Sequence, residues 1–196
     1  IIAIKSGCGT GKTVIQKQIK SLIETSKPEW NGLYATTLKS VIDSFCKHTG
    51  YTNYLSGNKK GDKLKKRKTA KRAKWLATTD LSLHFDDEVH RNVLIFDEIE
   101  RVIANSHNQK PNNIEYLFNR AIQADLLIFL DADMSQDRTG WFIEELCNRK
   151  RFQKQLIINK ADYARGMEFN LTENEEQSLM VAVEKIKKDI LVTWEM

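Results

Sequence analysis

Ile1-Ile2-Ala3-Ile4-Lys5-Ser6-Gly7-Cys8-Gly9-Thr10-Gly11-Lys12-Thr13 opens the chain with an apolar run, a glycine-rich turn and a Lys-Thr pair, in that order. The apolar run reads as a buried strand, and the recurrence of Val14, Ile15, Ile19, Leu22 and Ile23 reads as a helix beginning at Lys12. Strand, tight turn and helix together form a cradle for phosphate. Gly7, Gly9 and Gly11 let the main chain curl until its N–H groups converge on anionic oxygens, and Cys8 and Thr10 add their own N–H groups to that curl. The Lys12 ammonium reaches the β- and γ-phosphates, the Thr13 hydroxyl is placed for Mg²⁺, and the helix N-terminus faces the anion. Ser6 stands where the general pattern has glycine.

Working outward, strand-like runs alternate with helical patterns, which predicts an α/β fold with a parallel sheet covered by helices on both faces. The strands are read at Leu33-Tyr34-Ala35, Trp75 to Thr79, Asn92 to Phe96, Leu126 to Leu130 and Leu156 to Ile158, with helices near 39–48, 114–122 and 141–147. A cap at Thr172 to Glu175, a helix through Ile186 and a last strand at 190–194 close the chain. Functional groups of such a sheet gather at the carboxyl ends of its strands. Four places qualify: the phosphate loop after the first strand, Thr36-Thr37 after the second, Asp97-Glu98 after the fourth and Asp131-Ala132-Asp133 after the fifth. Asp97, ending an apolar strand, suits the carboxylate that holds hydrated Mg²⁺, and Glu98 suits the base that orients water for in-line attack on the γ-phosphate.

The bulk numbers fit this picture. At 196 residues, 41% hydrophobic and 29% charged, the chain can build one α/β core, and no apolar run approaches the roughly 20 residues of a membrane span. Three cysteines without a paired C-x-x-C spacing argue against a disulfide framework or a zinc site and fit a reducing compartment. Residues 59–74 hold eight Lys and two Arg against one Asp, a net of +9 in a chain of net +5, so the remainder is net acidic. That block reads either as a solvated loop or as a helix or loop tracking a phosphate backbone.

In order, the phosphate loop, Thr36-Thr37, Thr78-Thr79 with Ser82-Leu83, Asp97-Glu98-Ile99-Glu100 and Asp131-Ala132-Asp133 resemble the motifs of superfamily 2 helicases. The chain looks most like the first motor domain of the replication origin-binding helicases of herpesviruses, phages and plasmids, over residues 1–160. The resemblance implies a RecA-like P-loop NTPase that couples ATP hydrolysis, with Mg²⁺, to binding and translocation on nucleic acid. The strand would be single- or double-stranded DNA, or RNA. It implies that Lys12, Asp97 and Glu98 catalyse, that residues 7–13 hold the nucleotide, and that Thr13 and Asp97 hold the metal. It further implies that Thr36, Thr37, Lys39, Thr78, Thr79 and Ser82 contact a strand, and that Asp131 and Asp133 couple nucleotide state to strand binding.

The expected organisation is a motor domain over 1–165 and, over 166–196, a linker and the truncated start of a second motor domain of the same polypeptide. The expected location is the cytoplasm or a host-cell replication compartment, with no membrane partner and no secretion. Two other readings compete. Asn159-Lys160-Ala161-Asp162 spells the guanine-reading tetrapeptide of GTPases, and a non-hydrolysing nucleotide switch on nucleic acid would use the same loop.

Overall fold

The computed structural model describes residues 1–7, 11–55, 62–108, 113–162 and 166–171. Cys8, Gly9 and Thr10, and the helix and strand expected beyond 171, lie outside these residues. Eight strands form one sheet in the order β3-β4-β2-β5-β6-β1-β7-β8. They are β1 (Ile2–Lys5), β2 (Gly32–Thr36), β3 (Thr52–Asn53), β4 (Trp75–Thr79), β5 (Val93–Asp97), β6 (Leu126–Asp131), β7 (Gln155–Asp162) and β8 (Gly166–Leu171). The first seven run parallel and β8 pairs antiparallel with β7. The parallel α/β sheet is therefore as the alternation of runs foretold.

The two-residue β3 is an addition, too short to leave a periodic trace in sequence, and it makes the Asp97 strand the fifth and the Asp131 strand the sixth. β8 pairs with β7 over the first residues of the stretch expected to hold a linker.

Among the described residues six α-helices accompany the strands: α1 (Lys12–Ser26), α2 (Lys39–Thr49), α3 (Lys63–Arg72), α4 (Ile99–Asn108), α5 (Ile114–Gln123) and α6 (Trp141–Arg149). Side-chain alternation along the strands separates two faces. On one, Tyr34 of β2 stacks on Phe45 of α2, ring centroids 3.8 Å apart. On the other, Phe129 of β6 meets Phe142 of α6 edge-on at 5.9 Å. Strands buried on both sides need apolar residues at every position, which is why Val93-Leu94-Ile95-Phe96 and Leu127-Ile128-Phe129-Leu130 are each at most 1% exposed. Gly32 begins β2 because the Trp75 ring of β4 lies 2.1 Å from where a Cβ would stand. The basic block resolves into a helix: Asp62 caps α3 by accepting from the Lys65 N–H at 3.0 Å, and Ala70 alone of α3 is buried.

Candidate nucleotide site

The carboxyl edge of the sheet carries the expected groups. Gly11 caps α1 at φ +82, a left-handed conformation open to glycine at no steric cost, so the loop turns into the helix there. The Ser6 N–H donates to Asp131 O at 2.8 Å, and Lys5 Nζ donates to Met134 O at 3.1 Å. The root of the phosphate loop is thus tied to the end of β6. Lys12 Nζ donates to the carbonyls of Ser6 and Gly7 at 2.9 and 3.1 Å, holding its charge across the loop. Thr13 is exposed in the first turn of α1.

Asp97 ends β5, and Tyr34, from neighbouring β2, donates its hydroxyl to Oδ2. Burial pushes the Asp97 carboxyl above its usual range, while the Tyr34 hydrogen bond and the Lys12 ammonium pull back toward the charged form. Burial first, and the Asp97 charge second, drive the Tyr34 phenol far above its normal range, so Tyr34 stays a donor; Thr36 hydrogen-bonds the same phenol.

Glu98 sits at φ +58, a left-handed conformation that non-glycine residues seldom adopt. Its carboxylate accepts from the Thr37 hydroxyl and lies 3.7 Å from Arg101.

The donor set suits a hard cation. Among the described residues no group of three or more His, Cys, Asp and Glu could hold a metal by itself. One carboxylate and one hydroxyl, Asp97 and Thr13, fit Mg²⁺, which keeps several waters and takes its other oxygens from bound phosphates.

A second network lies behind the acids. Asp131 Oδ2 accepts from the Glu100 N–H at 2.9 Å, joining the end of β6 to the first turn of α4. The Glu100 carboxylate collects the Ser135 N–H at 2.8 Å, the Thr139 N–H at 3.2 Å, both of their hydroxyls and Arg138 at 3.2 Å. Burial opposes its ionisation, but the Thr139 and Ser135 donors together outweigh burial and hold the carboxyl below its usual range. Asp131 thus links the acid-pair helix to the segment after β6, whereas exposed Asp133 enters through its backbone N–H, donated to Asp131 Oδ1 at 3.1 Å. Neither Tyr34 nor Glu100 was assigned a role from sequence. The signals were there: Tyr34 and Thr36 share a strand face, and Glu100 is the second acid of Asp97-Glu98-Ile99-Glu100.

The residues expected to touch a nucleic-acid strand divide by exposure. Thr36, Thr78 and Thr79 are each 1% exposed and Ser82 8%, so their hydroxyls are turned into the fold. Thr37 is half-buried against Glu98, and Lys39, opening α2, is exposed. Thr36, Thr78 and Thr79 are buried at the ends of β2 and β4, and Ser82 on the inner side of the 3-10 helix Asp80–Asp86. Asn159-Lys160-Ala161-Asp162 lies inside β7, its backbone paired with residues 166–169 of β8, and not in the loop after a strand where a base-reading tetrapeptide works. A groove of about 570 Å³ between β1, β7 and α6 contains none of the phosphate-loop or acid-pair residues, so chemistry, not volume, marks this site. No helix of the described residues is long and apolar enough to cross a membrane.

No protein-family model and no curated protein matches the chain. Among solved structures, the Hef helicase domain of Pyrococcus furiosus is similar at a TM-score of 0.55 and 19% identity, over 82% of this chain and 35% of that one. The similarity shows the fold, an α/β sheet like that of a RecA-like helicase domain. The chain spans about a third of the length of that structure.

Proposed function

We propose that this chain is an ATP-hydrolysing motor domain of a helicase, the first of a pair, acting on a nucleic-acid strand, and that it belongs to a replication origin-binding protein. The observation that carries the proposal is a shared sheet edge: α1 with Lys12 follows β1 and Asp97 ends β5, where the Lys12 charge favours the ionised Asp97, with Glu98 next in sequence and held by Thr37. A metal bound by Asp97 and Thr13 would neutralise phosphate charge during transfer. The remaining work falls to the chain itself. The loop amides and Lys12 grip the β- and γ-phosphates, for which Lys12 must release the Ser6 and Gly7 carbonyls. Glu98 accepts a proton from the attacking water. Thr37 holds that carboxylate in place until water and nucleotide arrive, and the Glu100–Asp131 network carries a shift of α4 to the segment after β6.

A switch that binds nucleotide without hydrolysing it has no use for a second, positioned acid, and Glu98 therefore favours a hydrolase. The test is paired. Lys12→Ala is expected to lower ATP affinity about 100-fold, the loss of a charge-assisted contact of up to about 3 kcal/mol. Glu98→Gln is expected to keep the affinity while turnover, measured with the downstream domain restored and a strand present, falls by about 10²–10⁴. Parental turnover in Glu98→Gln removes the assigned base, and a preference for GTP over ATP in competition reinstates the GTPase reading.

A further inference from the structure

Seven of the ten residues of α3 are Lys or Arg, and the helix packs against the 3-10 helix Asp80–Asp86. Between them runs a groove of about 530 Å³ lined by Lys63, Arg67, Lys68 and Lys71 on one side and His84 and Phe85 on the other. Lys63, Arg67 and Lys71 recur every fourth residue, so their charges climb one face of α3 at about 6 Å per step. The lining has one acid, Glu88, which Arg67 and Lys71 already share. The His84 and Phe85 rings lie 4.0 Å apart, and Lys66 Nζ sits 4.9 Å from the Phe85 centroid.

We propose that this groove binds a single-stranded nucleic acid, its phosphates on Lys63, Arg67, Lys68 and Lys71 and a base stacked on Phe85. Charge and ring are the two parts of a single-strand site, a basic track for the backbone and an aromatic face for bases, and a closed duplex offers no free base to stack. The groove is separate from the nucleotide site. Its lining comes from α3 and residues 84–88 and shares no residue with the phosphate loop or the acid pair. The two are nonetheless bridged, because Asn105 of α4 donates to Asp80 at 2.7 Å and so ties the acid-pair helix to the wall that carries Phe85.

The proposal rests on the nucleic-acid part of the reading above, and its test is made without ATP turnover. Fluorescence anisotropy with labelled oligothymidylate, oligouridylate and a duplex of equal length, over a range of salt, measures affinity for the 196-residue chain. The double variant Lys63→Gln/Lys68→Gln should lower the slope of log affinity against log salt by about 1.4, at roughly 0.7 per single-strand phosphate contact. Phe85→Ala should weaken binding about tenfold with the slope unchanged, as expected for a lost stack. Binding of a fluorescent ATP analogue should stay at parental affinity in both. If Phe85→Ala does not fold, the exposed lysine pair carries the test alone. Parental slope and affinity in the variants, or binding confined to the duplex, overturns the groove. A chain that binds strand through this groove but never hydrolyses ATP sinks the motor reading and leaves the groove standing; the reverse result does the opposite.

Discussion

The Tyr34 hydroxyl donates to Oδ2 of Asp97 at 2.8 Å, from one parallel strand to the next, and the phenol is itself fully buried beneath α2. Tyr34→Phe keeps the ring, its stack on Phe45 and its volume, and removes only the donor. The buried carboxylate then loses a charge-assisted hydrogen bond, expected to cost about 1.5 kcal/mol of stability. Because that donor favours the charged carboxylate, the Asp97 titration moves further upward without it. Affinity for Mg·ATP followed against pH should accordingly acquire its acid-side loss at higher pH than in the parent. An unshifted profile would mean that Tyr34 does not tune Asp97.

Asp97→Asn separates stability from function. Burial raises the Asp97 carboxyl in the folded state above its unfolded value, so the folded chain binds the proton more tightly. Stability therefore falls as pH climbs from about 4 through the raised value, and the full cost is present above it. Asparagine carries no charge to bury. The variant should melt at a higher temperature than the parent at neutral pH, lose that advantage in acid below about pH 4, and fail to bind nucleotide in a Mg²⁺-dependent way. A lower melting temperature at neutral pH would contradict the burial argument.

Much of this site was legible because its signals are local. A glycine turn between a strand and a helix, and an acid pair at the end of an apolar run, are each contained in a dozen residues, and both stand where the fold needs them. The strand order was not legible: that β2 lies beside β5, which brings Tyr34 and Thr37 to Asp97 and Glu98, depends on pairings 60 residues apart. Exposure was not legible either. Thr36, Thr78 and Thr79 read as hydroxyls free to meet a phosphate, and close packing of the strand ends turned them inward. The lysine block was ambiguous for a different reason, since α3 buries Ala70 alone and leaves no apolar period to mark a helix.

Glu98 pays for its position with backbone strain. A non-glycine residue at φ +58 costs on the order of 1 kcal/mol, which persists only because the surroundings hold it. Glu98→Gly relieves that strain while removing the Thr37 hydrogen bond and the long Arg101 contact, both near the surface and of small value. The net expectation is a chain as stable as the parent or up to about 1 kcal/mol more so, with ATP binding retained and turnover lost. Chemical denaturation of the Gly and Gln variants in parallel distinguishes strain from side-chain effects, because Glu98→Gln leaves the strain in place. A destabilised Glu98→Gly would show that the conformation there is not strained.

Glu100 works with the opposite sign from Asp97. Burial disfavours its charge, yet the donors of Thr139 and Ser135 prevail and hold its folded titration below the unfolded value. The stability it contributes is complete above the unfolded value near pH 4.3 and is lost as pH falls through the lowered folded one. Glu100→Gln should cost about 2 kcal/mol at neutral pH, and the gap to the parent should close in acid. Thermal melts at neutral and acid pH read both arms. If the gap is the same at both, the Ser135 and Thr139 donors are not answering the charge on Glu100.

The largest expected effect lies in the contacts of Arg91. Asp86, Arg91 and Arg120 are 1%, 2% and 6% exposed, a buried ionic triad with one acid between two guanidinium groups. Arg91 donates to both Asp86 oxygens at 2.6 and 2.9 Å and to the carbonyls of Ala70, Ala73 and Lys74, and Arg120 reaches Asp86 at 3.1 Å. Burial, with a smaller push from the Asp87 charge, raises the Asp86 carboxyl, and the arginines pull against it. One guanidinium thus fastens the end of α3 to the segment entering β5, while the other fastens α5. Arg91→Ala removes the guanidinium from three carbonyls, two of which keep a backbone N–H, from Gly32 to Lys74 O and from Ala73 to Ala70 O, and leaves Asp86 with half its countercharge, a loss expected to reach about 3–5 kcal/mol. Because α3 hangs from these bonds, proteolysis in Arg91→Ala should begin at the lysines of 63–72 before the rest of the chain is cut. Simultaneous cleavage throughout would show that the triad supports the whole domain evenly and does not anchor α3 in particular.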